Sequence, residues 1–335
     1  MTNLQPDKDD LRDAEATLKG VVRTTPLLGS AALDRELGAR VLIKAESLQI
    51  TGSFKMRGAF YRLSRLEAEK RRSGVIAFSS GNFAQGLAAA GTQLGIPVTI
   101  VMPEDAPAAK IKATRDWGAE VVLSRHGPRN REAVASARAR EIAQATGAVL
   151  LHPFDDPLIV AGQSTAALEM LRQAHDDGTD PDAVLVPVGG GGLIAGAALA
   201  CQSFDPAPEV YAIEPAGYDD FGRSLTAGER LANERSLPTL CDALQAQMPG
   251  EVPFGVAKGR VVKGVAVGDA AVRRAMALAF RHLKIVLEPS GAVALAALLD
   301  GTMPKLAGKT VAVLASGGNV ALDDFARLTA EHGIN

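Results

Sequence analysis

The stretch Val75-Ile76-Ala77-Phe78-Ser79-Ser80-Gly81-Asn82-Phe83-Ala84-Gln85-Gly86-Leu87 decides how this chain is read. Four apolar residues form a short run, small polar residues interrupt it, and an Ala/Leu-rich segment follows to Leu94. An apolar run that ends in a small-residue loop and enters a helix is half of a βα unit. Outward from it the pattern recurs. Short β-branched runs at 41–44, 98–102, 121–123, 149–151, 184–188, 210–213 and 311–314 alternate with helix-like segments at 82–94, 108–117, 132–146, 163–173 and 272–283. Near-continuous apolar strands between helices imply an α/β fold with a parallel sheet covered on both faces. Ligands in such folds bind at the carboxyl ends of strands, against helix N-termini. No repeat or linker divides the chain, and the polar segment 176–182 reads as a loop between helix and strand. Any second lobe is therefore a section of the same pattern.

The 335 residues carry a net charge of −2, which leaves no phosphate-neutralising surplus for a nucleic-acid partner. No apolar run reaches membrane-spanning length, and the N-terminus lacks the apolar core of a secretory signal. Cys201 and Cys241 stand far apart without metal-site or redox spacing, which points to a reducing, cytoplasmic setting.

Four loops at strand ends carry the chemistry. In Thr51-Gly52-Ser53-Phe54-Lys55, the lysine stands at the mouth of a predicted helix. A helix N-terminus disfavours a cation, so the Lys55 amine should have a lowered pKa and suit Schiff-base chemistry. A structural lysine is the plain alternative. Ser79-Ser80-Gly81-Asn82 supplies more hydroxyl and amide groups than one helix cap requires. Gly189-Gly190-Gly191-Gly192 lets backbone N–H groups converge on an anion. Taken alone, that loop also satisfies a dinucleotide fingerprint, with Glu214 placed where a ribose-binding acid belongs. Ser316-Gly317-Gly318-Asn319 follows the last apolar run.

In this order, Lys44-Ala45-Glu46-Ser47-Leu48-Gln49-Ile50-Thr51-Gly52-Ser53-Phe54-Lys55, Ser-Ser-Gly-Asn, the four glycines and Ser-Gly-Gly-Asn resemble the serine/threonine dehydratase and serine racemase family. Further matches are His152-Pro153-Phe154-Asp155-Asp156-Pro157, Ala161-Gly162-Gln163-Ser164-Thr165 and Glu288-Pro289-Ser290-Gly291-Ala292. The resemblance runs from about residue 20 to 325. It implies a fold type II, tryptophan synthase β-like architecture of two open-twisted α/β lobes. The large lobe is expected at 1–72 and 152–335, and a small mobile lobe at 73–151.

The resemblance also implies pyridoxal 5′-phosphate (PLP) as cofactor. Lys55 would be its anchor and the base at Cα. Phe54 would pack on the ring, Asn82 would meet the ring oxygen, Gly189, Gly190, Gly191 and Gly192 would hold the phosphate, and Ser316 would meet the ring nitrogen. A hydroxyl there does not enforce a protonated ring, which favours prompt loss of a β-hydroxyl. Ser79, Ser80 and Gly81 would take the substrate carboxylate, with Ser80 also a candidate acid on the face opposite Lys55. Arg131 falls near an arginine that would meet a second carboxylate, with a solvated helix arginine as the plain alternative. Glu214, Asp220 and the Tyr218 carbonyl resemble a Mg²⁺ or Ca²⁺ site, with a surface acidic turn as the plain alternative.

The resemblance departs at Phe83, where the family has histidine, and at Cys241-Asp242-Ala243-Leu244-Gln245. The expected enzyme is a homodimeric PLP-dependent lyase that turns a small β-hydroxy amino acid into a 2-oxo acid and ammonia. A serine racemase or 3-hydroxyaspartate dehydratase is the alternative on the same scaffold. An NAD-dependent oxidoreductase rests on the glycine loop alone, and a non-catalytic binding module would have no use for Lys55.

Overall fold

A computed structural model describes residues 5–127, 131–234, 237–303 and 306–330, with only the backbone at 131 and 132. The strands are β1 (Leu27–Leu28), β2 (Arg40–Ala45), β3 (Val75–Phe78), β4 (Val98–Pro103), β5 (Glu120–Ser124), β6 (Val149–Leu150), β7 (Ala183–Pro187), β8 (Glu209–Pro215), β9 (Val261–Val267) and β10 (Thr310–Ala315). They form two sheets: six strands in the order β1-β2-β10-β7-β8-β9, and four in the order β5-β4-β3-β6. Every pairing is parallel except that of the two-residue β1 on β2. The fold is thus the parallel α/β fold that the apolar runs predict, in the two-sheet form that the family motifs imply rather than as one sheet. β1 and β9 are additions to the strands expected from sequence. Among the described residues no helix is long and apolar enough to cross a membrane.

The central strands are apolar at nearly every position because helices cover both faces. β7 is buried at all five residues, and β10 at five of six. Helix Pro157–Asp176 packs against both Lys55–Ser64 and Gly192–Cys201, and glycines set how closely. A Cβ on Gly162 would lie 2.6 Å from the Gly58 Cα, and one on Gly196 would lie 2.7 Å from the Ser164 nitrogen.

A buried ion network fixes the same helices. Arg57, with 1% of its surface exposed, donates two hydrogen bonds to Glu46 (2.9 and 2.8 Å) and two to Glu169 (3.3 and 3.2 Å). The Lys44 ammonium reaches Glu169 at 2.6 Å, the Gln173 side chain at 2.6 Å and the Thr25 carbonyl at 2.7 Å. Burial lifts the Glu46 carboxyl, but the Arg57 charge and its hydrogen bonds outweigh that and hold it below the usual carboxylate range. Strand β2, the turn after it, and two helices are thereby locked together.

Gly162→Ala should lower unfolding free energy by about 1–3 kcal/mol, because backbone atoms, not flexible side chain ends, oppose the added methyl. Urea unfolding measures it; an unchanged midpoint would show that the helices can separate at no cost.

Candidate functional site

Lys55 is the first residue of helix Lys55–Ser64. The turn before it is tied to the loop after β10. Phe54 N–H donates to the Ser316 carbonyl at 3.1 Å, Gly318 N–H donates to the Gly52 carbonyl at 2.9 Å, and Ser53 bridges Gly317. Gly52 has φ +71°, and a Cβ there would meet the Asn319 side chain at 2.3 Å. The lysine is placed by two loops nearly the length of the chain apart.

Its Nζ donates to the Pro153 carbonyl at 3.0 Å and lies 5.0 Å from the Phe54 ring centre and 5.7 Å from that of Phe83. Burial lowers the amine pKa to about 8. The direction matches the sequence expectation. The cause differs: the amine loses water among aromatic neighbours, and that outweighs any effect of the helix terminus. Phe83, where the family has histidine, is therefore one wall of the amine's surroundings.

A cavity of about 420 Å³ opens around Lys55. Phe54, Ser79, Ser80, Gly81 and Asn82 line it, as do all four glycines from Gly189 to Gly192 and Ser316. Four loops scattered over more than 260 residues thus converge on one space. The serine loop is not spent on capping. Helix Asn82–Leu94 begins at Asn82, and its cap position, Gly81, has no side chain to donate or accept. Ser79 accepts from Gly81 N–H at 3.3 Å, which shapes the turn.

Gly191, at φ +98°, caps helix Gly192–Cys201, whose first amides have no intrahelical acceptor. A Cβ on Gly190 would overlap the Phe154 ring at 2.3 Å. A loop of this shape admits an anion against bare backbone and admits no side chain. A half-buried amine of lowered pKa beside an amide cradle fits a phosphate-bearing aldehyde.

The cavity also holds groups for which sequence reading assigned no role. Glu288 accepts from Asn82 Nδ2 at 2.5 Å, and burial together with the charge of Asp242 pushes its pKa up to about 7. Lys110 and Asp242, from opposite walls, form an ion pair. His152 is stacked edge-on between Phe78 and Phe154, and burial holds its pKa below the usual value. Glu288 was visible as an acid directly after the apolar Ile285-Val286-Leu287. Lys110 and Asp242 carry no such signal.

The side chain of Arg131 is outside the described residues. Glu214 and Asp220 sit apart from the cavity, at the end of β8 and the start of helix Asp220–Ala227. Glu214 accepts from Phe221 N–H (2.7 Å) and Gly222 N–H (2.8 Å). Asp220 accepts from Asn233 at 2.7 Å, while its second oxygen is buried with no hydrogen-bond partner. Burial and the Asp220 charge lift the Glu214 carboxyl well above its usual range, and burial lifts that of Asp220 to about 6. Both side chains and Tyr218 are buried, so this is no surface acidic turn. Among the described residues, no cluster of three or more His, Cys, Asp or Glu side chains is arranged around a metal.

The profile of the family described as "Pyridoxal-phosphate dependent enzyme" matches residues 18–317. The chain belongs to that family. It is 40% identical over 320 residues to an L-threo-3-hydroxyaspartate ammonia-lyase of a Pseudomonas species, covering 95% of this chain and 97% of that one. It superposes on a threonine deaminase of T.th. with a TM-score of 0.87 and 44% identity, covering 95% and 99% of the two chains. On maize serine racemase the TM-score is 0.89 with 33% identity, and 98% of each chain is covered. The dehydratase and racemase likeness read from the motifs thus extends across the whole fold. The dinucleotide alternative falls with it. Glu214 is buried and does not line the cavity beside the glycine loop, so it is not placed to meet a ribose there.

Proposed function

We propose that this chain is a PLP-dependent ammonia-lyase converting a small L-β-hydroxy amino acid to a 2-oxo acid and ammonia. The observation that carries the reading is a desolvated lysine amine sharing one cavity with an amide cradle and a serine loop. Gly189 to Gly192 would hold the cofactor phosphate, Ser316 would meet the ring nitrogen, Asn82 the ring oxygen, and Phe54 would pack on the ring. Bound PLP supplies the electron sink for charge left at Cα when its proton leaves. Lys55 would anchor the cofactor, and once the substrate amine displaces it, the freed lysine amine would take that proton. With a pKa of about 8, its amine is an effective base near neutral pH. Ser79, Ser80 and Gly81 take the substrate carboxylate. The Cα–H and Cβ–OH bonds break, water leaves, and hydrolysis of the resulting imine returns that water and releases ammonia.

Residues 1–72 and 152–335 form the large lobe in this reading, and 73–151 a small mobile lobe whose closure shields the site from water. The four-stranded sheet falls within 75–150, and the Lys110–Asp242 pair joins that span to the rest, which supports the division. The enzyme acts in the cytoplasm as a homodimer. Two buried free thiols, Cys201 and Cys241, and the outward-facing Phe280 and Leu322 support those assignments.

Mg²⁺ or Ca²⁺ binds at Glu214, Asp220 and the Tyr218 carbonyl. The support is two neighbouring buried carboxylates with one oxygen unpartnered, an arrangement that a hard cation neutralises. A second reading, racemisation, rests on Ser80 lining the same cavity as Lys55. For a substrate with a second carboxylate, such as 3-hydroxyaspartate, Arg131 is the group to receive it.

The purified holoenzyme should be yellow, and borohydride should fix the cofactor to Lys55. Lys55→Ala should cost ~10²–10⁴-fold or more in elimination while leaving the circular dichroism spectrum unchanged. A colourless protein, or retained activity, sinks the assignment.

Ser80→Ala should slow dehydration of L-serine by a factor corresponding to about 0.5–1.5 kcal/mol, the worth of one hydrogen bond to the carboxylate. D-serine formation should fall much further, because inversion needs an acid on the far face. Parallel decline of both products leaves Ser80 a binding residue only.

In EDTA, the raised pKa of Asp220 means that the folded state holds its proton more tightly than the unfolded state. Stability present at low pH is then lost as pH rises through about 6. Asp220→Asn should remove the Asp220 share of that loss and lessen the share of Glu214, whose raised pKa owes part of its shift to the Asp220 charge. Mg²⁺ or Ca²⁺ at a hundredfold excess over Kd should add about 2.7 kcal/mol to the wild type at neutral pH and nothing to the variant. A melting temperature indifferent to both cations rules the site out.

A further inference from the structure

Asn82 sits in a chain of hydrogen bonds whose direction is fixed from one end. The Asn319 amide nitrogen donates to the Thr51 carbonyl at 2.9 Å and to Asn82 Oδ1 at 2.7 Å. A main-chain carbonyl can only accept, so Asn319 must present its NH₂ group to both partners. Asn82 therefore turns its oxygen toward Asn319 and its nitrogen toward Glu288, to which it donates at 2.5 Å. One N–H of the Asn82 amide is used. The other remains for whatever occupies the cavity.

Glu288 ends the chain. It is 3% exposed, stands directly before helix Pro289–Ala296 and lines the cavity. Its Oε1 is packed so closely against the loop after β10 that a Cβ on Gly317 would lie 2.3 Å from it. The charged groups that face it are Asp242, from the turn Asp242–Leu244, and Lys110, from helix Ala108–Asp116, and they pair with each other. Glu288 itself has no cation bonded to it among its described contacts. A carboxyl kept in the interior with an amide as its partner has a costly charge and a short lever on the cavity.

We propose that Glu288 is a positioning residue which, through Asn82, aims an N–H donor at the ring oxygen of the bound cofactor and governs how tightly the lysine-linked cofactor holds its proton. The inference rests on the cofactor reading above. An anion one amide away from the ring favours the more positively charged form, so the proton is released at a higher pH than it would be without Glu288. Burial and Asp242 push the Glu288 pKa to about 7, with Asn82 and Lys110 opposing, so this influence grows as pH rises through neutrality.

The test is a pH titration of the visible absorbance of the holoenzyme, which reads the cofactor's proton directly and needs no turnover. Glu288→Gln keeps an acceptor for Asn82 and removes the charge. Its titration midpoint should fall by about one unit, the size of effect a nearby charge exerts. Ser290→Ala, on the same turn but outside the chain of hydrogen bonds, should leave the midpoint in place whatever it does to melting temperature. The double variant N82A/E288Q should titrate where N82A does. A wild-type midpoint in E288Q, or fully additive shifts in the double variant, overturns the inference while the cofactor reading stands. Should E288Q fail to fold, Glu288→Asp carries the test. It keeps the charge but shortens the reach to Asn82, so cofactor affinity should fall several-fold, and unchanged affinity overturns the proposal. A wild-type protein with no visible band and no borohydride adduct at Lys55 overturns both readings together.

Discussion

A guanidinium cut off from water needs its charge balanced within bonding distance, and Arg57 obtains this from Glu46 and Glu169 at once. The rest of the structure depends on that requirement. Glu46 follows β2, Glu169 lies in the middle of helix Pro157–Asp176, and Arg57 is two residues from Lys55. If any one element moved, a buried charge would be left without its partner, so the three move as a body or not at all. Glycines at 58 and 162 bring the helices close enough for these short bonds. Lys44, fastened to Glu169, adds the base of the strand to the same body.

Rigidity here serves a chemical end. Burial disfavours the charge of the Lys55 amine, and the network holds the helix that begins with it. Across the cavity the situation is reversed. Glu288 also has its charge disfavoured, by burial and by a second acid, and it is held by an amide. An amine inclined to lose its proton and a carboxyl inclined to keep one thus face the same space.

Much of this was legible in the sequence, and the reasons are specific. Runs such as 75–78 and 184–188 are strands because central parallel strands are apolar on both faces, and that pattern survives in one dimension. Loops rich in Gly and Ser mark strand ends, which is where Lys55, Ser80, Gly190 and Ser316 proved to meet. β9 escaped notice because Lys263 and Gly264 interrupt its apolar residues, and β1 because two residues have no period. The Lys110–Asp242 pair and the relay from Thr51 through Asn319 and Asn82 to Glu288 were invisible for another reason. Their members lie on separate segments, and an asparagine that orients another has the same local signature as one at the surface. The lowered amine pKa of Lys55 was expected from a helix terminus, whereas its cause is burial, which only tertiary packing produces.

The strand order bears on how such an enzyme is made. β10 is the last strand in the chain, yet it lies between β2 and β7 in the middle of the larger sheet and pairs in parallel with both. Until it emerges, β2 and β7 are separated by an unfilled slot, and each presents a bare edge. Ser316 and the carbonyl that receives Phe54 N–H arrive with it. A nascent chain therefore carries its lysine long before it carries the surroundings that arm it. Completion of the larger sheet and completion of the lysine's surroundings are in this way one event, because the same strand closes the slot and delivers the loop that holds Phe54.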